Sequence, residues 1–271
     1  MMIKKIKNIN LYKIKDTTST EPYYGLPREV KFCSVCCISN QRPNSAIEFK
    51  HTIKTKKSTI QFNEKNICDA CLHNLNKKEI NWKKKEEELL ILLDKYRKND
   101  GSYDCLVPGS GGKDSAYQSH ILKYKYGMNP LTVTWPPILY TEYGYKNWKN
   151  WVDSGFDNIT FTRNGDVMKL LTKLSIENLF HPFQTFMLGQ KYLGPKIAAK
   201  YNIPLIFYGE NEAEYGNSLA DNNDSLRDKS FYTYENLDEI SLAGVSIHDL
   251  QKKYNLSKAD LSPFLPANPD E

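Results

Sequence analysis

The sequence lacks any long hydrophobic run. Its longest uninterrupted aliphatic stretch, Leu89 to Leu93, is far shorter than the roughly 18 residues that a membrane-spanning helix needs. The first fifteen residues alternate lysine with isoleucine or asparagine and contain no apolar signal-peptide core. We therefore expect a cytoplasmic protein that neither spans nor binds a membrane.

Cysteine and arginine are also scarce. Six cysteines in 271 residues are too few for a disulfide-stapled scaffold. The first 100 residues are basic, with 21 Lys and Arg against 12 Asp and Glu, but the whole chain has only 5 arginines among 37 basic residues. Because arginine is the residue best suited to reading phosphates and bases, the basic part indicates solvated lysines more than a nucleic-acid surface.

The charge changes sign near residue 100, since residues 101–271 carry 16 basic against 20 acidic side chains. We divide the chain into a polar extension (1–30), a cysteine-bearing part with an amphipathic helix at 79–98 (31–100) and a third part (101–271). In the third part, strands predicted at 103–108, 131–135, 158–162 and 204–208 alternate with helices predicted at 113–126, 145–153, 166–178 and 189–201. This alternation predicts an α/β fold, in which a parallel sheet with flanking helices holds ligands at the carboxyl ends of its strands.

The second part contains two C-x-x-C pairs, formed by Cys33, Cys36, Cys68 and Cys71. Four thiolates in two tight turns can close a tetrahedral zinc site. The 31 residues between the pairs exceed the spacing of ordinary zinc ribbons, and a hairpin at 46–66 would absorb the excess. We predict structural zinc, with an iron–sulfur centre and unliganded thiols as the alternatives. Cys37 is a spare thiol in this interpretation, and Cys105 belongs to the core of a strand.

The most informative motif joins the first strand of the α/β part to its first helix: Pro108-Gly109-Ser110-Gly111-Gly112-Lys113-Asp114-Ser115. Three glycines let backbone N–H groups curl around a phosphate at a helix N-terminus. Lys113 would add positive charge, Ser115 a hydroxyl donor and Asp114 a carboxylate for Mg²⁺. The Walker and Rossmann patterns both fail here. The motif matches instead the S-G-G-x-D-S signature of the PP-loop ATP pyrophosphatases; a plain glycine turn is the alternative.

Other strand ends would contribute to the same edge of the sheet. Thr134, at the end of the second strand, is predicted to contact ATP, and Thr162-Arg163-Asn164-Gly165 follows the third. After the last strand comes an acidic and aromatic segment, in which Glu210 is the catalytic candidate; the substrate-binding candidates are Asn211, Glu212, Glu214 and Tyr215. An acidic surface loop is the alternative interpretation of this segment.

The order of these features resembles the N-acetyl sugar amidotransferase family, which includes lipopolysaccharide and pseudaminic or legionaminic acid amidotransferases. The resemblance covers about residues 31–245 and rests on the two cysteine pairs and the S-G-G-K-D-S loop, together with Arg42-Pro43, Ile80-Asn81-Trp82, Tyr103-Asp104-Cys105, Gly209-Glu210-Asn211 and Glu214-Tyr215-Gly216.

The resemblance implies a PP-loop fold of the adenine nucleotide α-hydrolase type and conversion of an acetamido group on a sugar or nucleotide sugar to an acetamidino group, for lipopolysaccharide or flagellin glycans. It implies ATP and Mg²⁺, with ammonia from a separate glutaminase subunit that is often joined by a cyclase-like subunit. Because family members usually extend further, it also implies a C-terminally truncated α/β domain. A PP-loop tRNA thiolase and a non-catalytic ATP-binding subunit are the alternatives.

Overall fold

A parallel sheet forms the centre of the computed structural model, in which residues 25–42, 56, 59–209, 232–234 and 236–267 are described. Its strands are β1 (Cys105–Pro108), β2 (Pro130–Thr134) and β3 (Asn158–Thr160), in the order β1-β2-β3. Leu106 pairs with Leu131 on one edge of β1 and with Ile206 on the other. The strand predicted at 204–208 is thus present as a single parallel bridge.

Helices follow the strands, as predicted. Their bounds are α1 (Asp69–Asn76), α2 (Trp82–Tyr96), α3 (Lys113–His120), α4 (Glu142–Asp153), α5 (Gly165–Leu179), α6 (Gln184–Lys200), α7 (Ile247–Tyr254) and α8 (Lys258–Leu261). A π-helical turn, Ile121–Lys125, continues α3, and a small hairpin pairs β4 (Ser241–Leu242) with β5 (Val245–Ser246). The predicted α/β class with a parallel sheet and flanking helices is confirmed. Within the described residues, no helix is both long and apolar enough to cross a bilayer.

Each face of the sheet has its own hydrophobic core, because successive side chains of β1 point to opposite faces. Leu106 faces a core built with α5, α6 and residues 240–265, in which Leu171, Leu188, Leu242, Leu250 and Phe264 are buried. Cys105 and Val107 face a second core with Leu93 of α2 and Leu122. Cys105 is therefore a core residue, as predicted.

In the described residues of the cysteine-bearing part, Cys33, Ile60 and Cys68 form a small buried core. Two short hairpins surround it, marked by antiparallel bridges between Phe32 and Ser39 and between Phe62 and Cys68. Most of the hairpin predicted at 46–66 lies outside the described residues, as does nearly all of the extension at 1–30. A metal ion at the cysteines would add a cross-link to this small described core.

Candidate functional site

The glycine-rich segment forms the turn between β1 and α3. The Gly109 N–H donates to the Val133 carbonyl (2.9 Å), which ties the start of the turn to β2. Gly112 is the N-cap residue of α3 and no side chain caps this helix. The Ala116 N–H donates to the Gly112 carbonyl (3.0 Å), and the N–H groups before it have no acceptor within the helix. The helix dipole adds to their attraction for an anion.

Two glycines in this turn leave no room for a side chain. Gly111 has φ +80°, and a Cβ on it would lie 2.5 Å from the Cα of Trp148 in α4. A Cβ on Gly109 would lie 2.4 Å from the Cβ of Ser115. The turn is therefore held tightly between α3 and α4, and the identity of these residues follows from close packing as well as from backbone conformation.

Replacing Gly111 by alanine should test this packing. Gly101 is a matched control, since it has φ +81° but no atom within 4 Å of a built Cβ. The left-handed conformation alone costs an alanine about 1–2 kcal/mol. We expect Gly101→Ala to lower the free energy of unfolding by that amount and Gly111→Ala to lower it by roughly 2–5 kcal/mol, because α4 must also shift. Urea unfolding measures both, and equal losses would contradict the packing argument.

The two charged side chains of the turn are accessible, whereas Ser115, predicted to donate its hydroxyl to a phosphate, is buried. Lys113 and Asp114 form an ion pair (2.6 Å) with side chains that are 88% and 50% exposed. The Ser115 hydroxyl donates to the Gly112 carbonyl at 3.2 Å. Mg²⁺ takes oxygen ligands such as an accessible carboxylate, whereas backbone N–H groups attract anions. Asp114 and Lys113 are thus both exposed beside the N-terminus of α3.

Gly209, three residues after the bridge at Ile206, lies against the first turn of α3. A Cβ on Gly209 would be 3.1 Å from the Ser115 nitrogen, and Gln118 Nε2 donates to the Tyr208 carbonyl at 2.8 Å. A cavity of about 310 Å³ opens here, lined in part by Asp114, Tyr117, Gln118, Phe207 and Gly209. The chain therefore enters the predicted catalytic segment beside the glycine turn. The candidates Glu210, Asn211, Glu212, Glu214 and Tyr215 lie outside the described residues.

Thr134, predicted to contact ATP, has a fully buried side chain. Its hydroxyl accepts from Trp148 Nε1 (3.2 Å) and from Asn158 Nδ2 (3.1 Å). The Trp148 backbone also packs on Gly111. The hydrogen bonds of Thr134 to Trp148 and Asn158 therefore help to hold α4 and β3 beside the turn. The structure does not place its hydroxyl on the surface of the turn.

The four cysteines of the two C-x-x-C pairs come together. All four Sγ atoms lie within 4.8 Å of one another, with distances of 3.9 Å between Cys33 and Cys71 and 3.6 Å between Cys36 and Cys68. A tetrahedral zinc ion with Zn–S bonds of about 2.3 Å has S–S edges of about 3.8 Å. The cluster can therefore hold one metal ion such as zinc. A four-iron cluster fits poorly, because each of its thiolates binds a different iron atom.

Ionisation within this cluster is uneven. Burial opposes ionisation of Cys33, but the backbone N–H groups of Cys36, Cys68 and Val35 stabilise its thiolate and lower its pKa to about 6. For Cys68 and Cys71 burial is the largest effect and raises the pKa, and hydrogen bonding among neighbouring thiols adds to the rise. The Cys33 thiolate is favoured, and a bound cation would favour ionisation of Cys68 and Cys71.

Arg163 lies at the sheet edge but was not among the site residues predicted from the sequence. Arg163 follows β3, and its Nη1 donates to the Pro136 carbonyl (2.6 Å), which follows β2. The signal in the sequence was its position just after a predicted strand. The structure thus brings together two of the strand ends that were expected to share this edge.

Comparison with known proteins gives little beyond the structure. No protein-family model matches the chain. An uncharacterized protein of Methanocaldococcus jannaschii is 42% identical over 83 residues. The match covers 31% of this chain and 29% of that protein, so the chain spans less than a third of the relative that it resembles.

Proposed function

We propose that the chain is an ATP-dependent amidotransferase that forms AMP and pyrophosphate. The observation that carries the proposal is the turn between β1 and α3, where closely packed glycines precede an uncapped helix N-terminus beside the accessible side chains of Lys113 and Asp114. Together with the S-G-G-K-D-S sequence, this arrangement suits the β- and γ-phosphates of ATP. It is the arrangement expected of a PP-loop nucleotide-binding fold.

The proposed reaction has two steps. The acetamido oxygen of the substrate attacks the α-phosphorus of ATP, a P–O bond to the β-phosphate breaks, and pyrophosphate leaves with that bond pair. Ammonia then attacks the carbon of the O-adenylyl imidate, the C–O bond breaks, and AMP leaves with the original acetamido oxygen while ammonia's excess protons are lost. An amide oxygen is a poor leaving group and AMP a good one, so adenylation makes the substitution feasible.

The backbone N–H groups of the turn, Lys113 and Asp114 each have a proposed role in the first step. The backbone N–H groups and Lys113 would stabilise the charge that develops on departing pyrophosphate. Asp114 would hold Mg²⁺, which when bound supplies positive charge to the phosphate oxygens. Glu210 remains the proposed catalytic residue of the segment, and Asn211, Glu212, Glu214 and Tyr215 remain proposed substrate contacts, because Gly209, which precedes them, lies against the first turn of α3.

The proposed substrate is an N-acetyl sugar or nucleotide sugar of lipopolysaccharide or flagellin glycan synthesis. Support for it comes from the order of motifs that resembles the sugar amidotransferases. On the same basis we propose a separate glutaminase subunit, and a cyclase-like companion, as the source of ammonia, and a structural zinc ion at the four cysteines.

The tRNA thiolase alternative is less well supported. Such an enzyme would use a reactive cysteine near its ATP site, and Cys105 is the only cysteine after residue 71. Cys105 is fully buried in β1, and burial raises the pKa of its thiol well above the usual range. It therefore cannot reach a substrate in this fold.

Pyrophosphate release distinguishes the two functions. The chain is assayed with ATP, Mg²⁺ and ammonium, and with either acetamido nucleotide sugars or bulk tRNA. The proposal predicts release with a sugar and not with tRNA. Stimulation by tRNA alone would contradict it, and ATP binding without release under any condition would favour the non-catalytic alternative.

A further inference from the structure

A partly buried arginine, Arg163, follows β3 at the carboxyl edge of the sheet. The guanidinium carbon of Arg163 lies 5.2 Å from the ring centre of Trp135 and 5.3 Å from that of Phe186. One nitrogen, Nη1, is held by the Pro136 carbonyl. The two rings and this carbonyl fix the orientation of the guanidinium.

This arginine has no carboxylate partner among the described residues. Its Nε is buried without a hydrogen-bond acceptor, and the same is true of Trp135 Nε1 and the Tyr140 hydroxyl. Trp135 is itself only 6% exposed. Three buried donors without an acceptor, one of them on the guanidinium itself, are costly.

The electrostatic environment of Arg163 favours a negatively charged acceptor for these donors. Burial lowers the pKa of the Arg163 guanidinium and raises the pKa of the neighbouring Tyr140 phenol. Removal from water thus disfavours the charged form of both groups, so Arg163 stays a cation that has lost part of its hydration, and an anion beside it would compensate that loss. A neutral phenol remains a donor.

An apolar groove lies next to this group. It is lined by Pro137, Ile138, Leu139, Phe183 and Phe186, and Phe186 is also one of the rings over Arg163. Leu139 is 85% exposed in it. A ligand that reaches Arg163 along this groove would therefore combine an anionic end with a less polar body.

We propose that Arg163, with Tyr140 and Trp135, binds an oxyanion group of the acceptor substrate, either a carboxylate or a phosphate. The identity of the acceptor substrate rests on the proposed function. The negative charge of the bound group is inferred from the three buried donors that have no hydrogen-bond acceptor. ATP is not the expected source, because the glycine turn packs on the Trp148 backbone of α4, whereas Arg163 contacts Trp135, Phe186 and the Pro136 carbonyl.

The test uses three acetamido sugars that differ in charge: N-acetylglucosamine, N-acetylglucosamine 1-phosphate and N-acetylmuramic acid. Binding is followed on the ¹⁵N Nε–Hε NMR signal of Arg163, which is assigned by its loss in Arg163→Gln. We expect at least one charged sugar to shift this signal and to bind about tenfold tighter than the neutral one, since a hydrogen bond to a charged group is worth that much.

Variants separate binding from folding. Arg163→Gln should abolish the preference for the charged sugar, and Tyr140→Phe, which keeps the ring, should weaken it severalfold. Arg28→Gln, at an exposed arginine outside the site, should leave it unchanged. Equal affinity for all three sugars, no shift of the Arg163 signal, or a shift with ATP alone would each overturn the inference.

The same samples test the proposed function separately. ATP binding at the glycine turn is measured in Arg163→Gln, which should retain it. If wild-type protein fails to bind or cleave ATP while Arg163 still selects charged sugars, the proposed function is wrong and the oxyanion site stands. If ATP is cleaved but Arg163 does not respond to any sugar, only the oxyanion site is wrong.

Discussion

Asp114→Asn is expected to lower the rate of pyrophosphate release by at least about a hundredfold, which is the usual effect of removing one group that stabilises transition-state charge. Asparagine keeps the size of the side chain but loses the charge that would hold Mg²⁺ and pair with Lys113. The ion pair is exposed, so its loss should change stability little. Steady-state release of pyrophosphate and thermal unfolding measure the two effects.

Asp166→Asn is the matched control. Asp166 also lies in the first turn of a helix after a strand, here α5, and its side chain is 98% exposed. We expect wild-type rates from this variant. Near-normal activity of Asp114→Asn, or an equal loss in both variants, would contradict the assignment of Asp114 to the phosphate site.

Cys68→Ser is expected to release the metal and unfold the cysteine-bearing part. Cys68 is fully buried at the start of α1, and its Sγ lies 3.6 Å from that of Cys36. Structural zinc binds zinc-finger peptides with roughly 10–16 kcal/mol at pH 7, so removing one ligand should cost several kcal/mol of folding free energy. Elemental analysis and limited proteolysis report the metal and the fold.

Cys37→Ser is the control for this variant, since Cys37 is exposed and stands outside the four-cysteine cluster. It should keep one zinc per chain and wild-type resistance to protease. The near-UV circular dichroism of Trp135, Trp148 and Trp151, which belong to the α/β part, should persist in both variants. Wild-type protein purified without chelator and found to hold no metal would contradict the zinc proposal.

The parts of the fold that depend on local sequence were predictable. Alternation of apolar strands with helices predicted the parallel sheet, and the three glycines before Lys113 predicted the turn at its edge. The two C-x-x-C pairs predicted a cluster, because each pair sits in one tight turn. In each of these, a local pattern in the sequence marks the element or the turn, although the strands and the two cysteine pairs meet only through the fold.

Features that depend on tertiary packing were not predictable. Helix α6 begins at Gln184, about five residues before the start predicted at Gly189. Gly189 lies inside the helix, where a Cβ would meet the Trp135 ring at 2.1 Å. Glycine favours a helix boundary when it is judged from the sequence alone. Here it is needed because α6 packs closely against Trp135. The environment of Arg163 was hidden for the same reason, since Trp135 and Phe186 are distant from it along the chain.

The most direct test of the account follows the oxygen atom of the acetamido group. Acetamido sugars labelled with ¹⁸O in the acetyl carbonyl are incubated with the chain, ATP, Mg²⁺ and ammonium, and the nucleotide product is analysed by mass spectrometry. Adenylation of the acetamido oxygen predicts AMP that carries one ¹⁸O atom, together with an acetamidino sugar that has lost it. Unlabelled AMP, or ADP and phosphate in place of AMP and pyrophosphate, would contradict the proposed reaction.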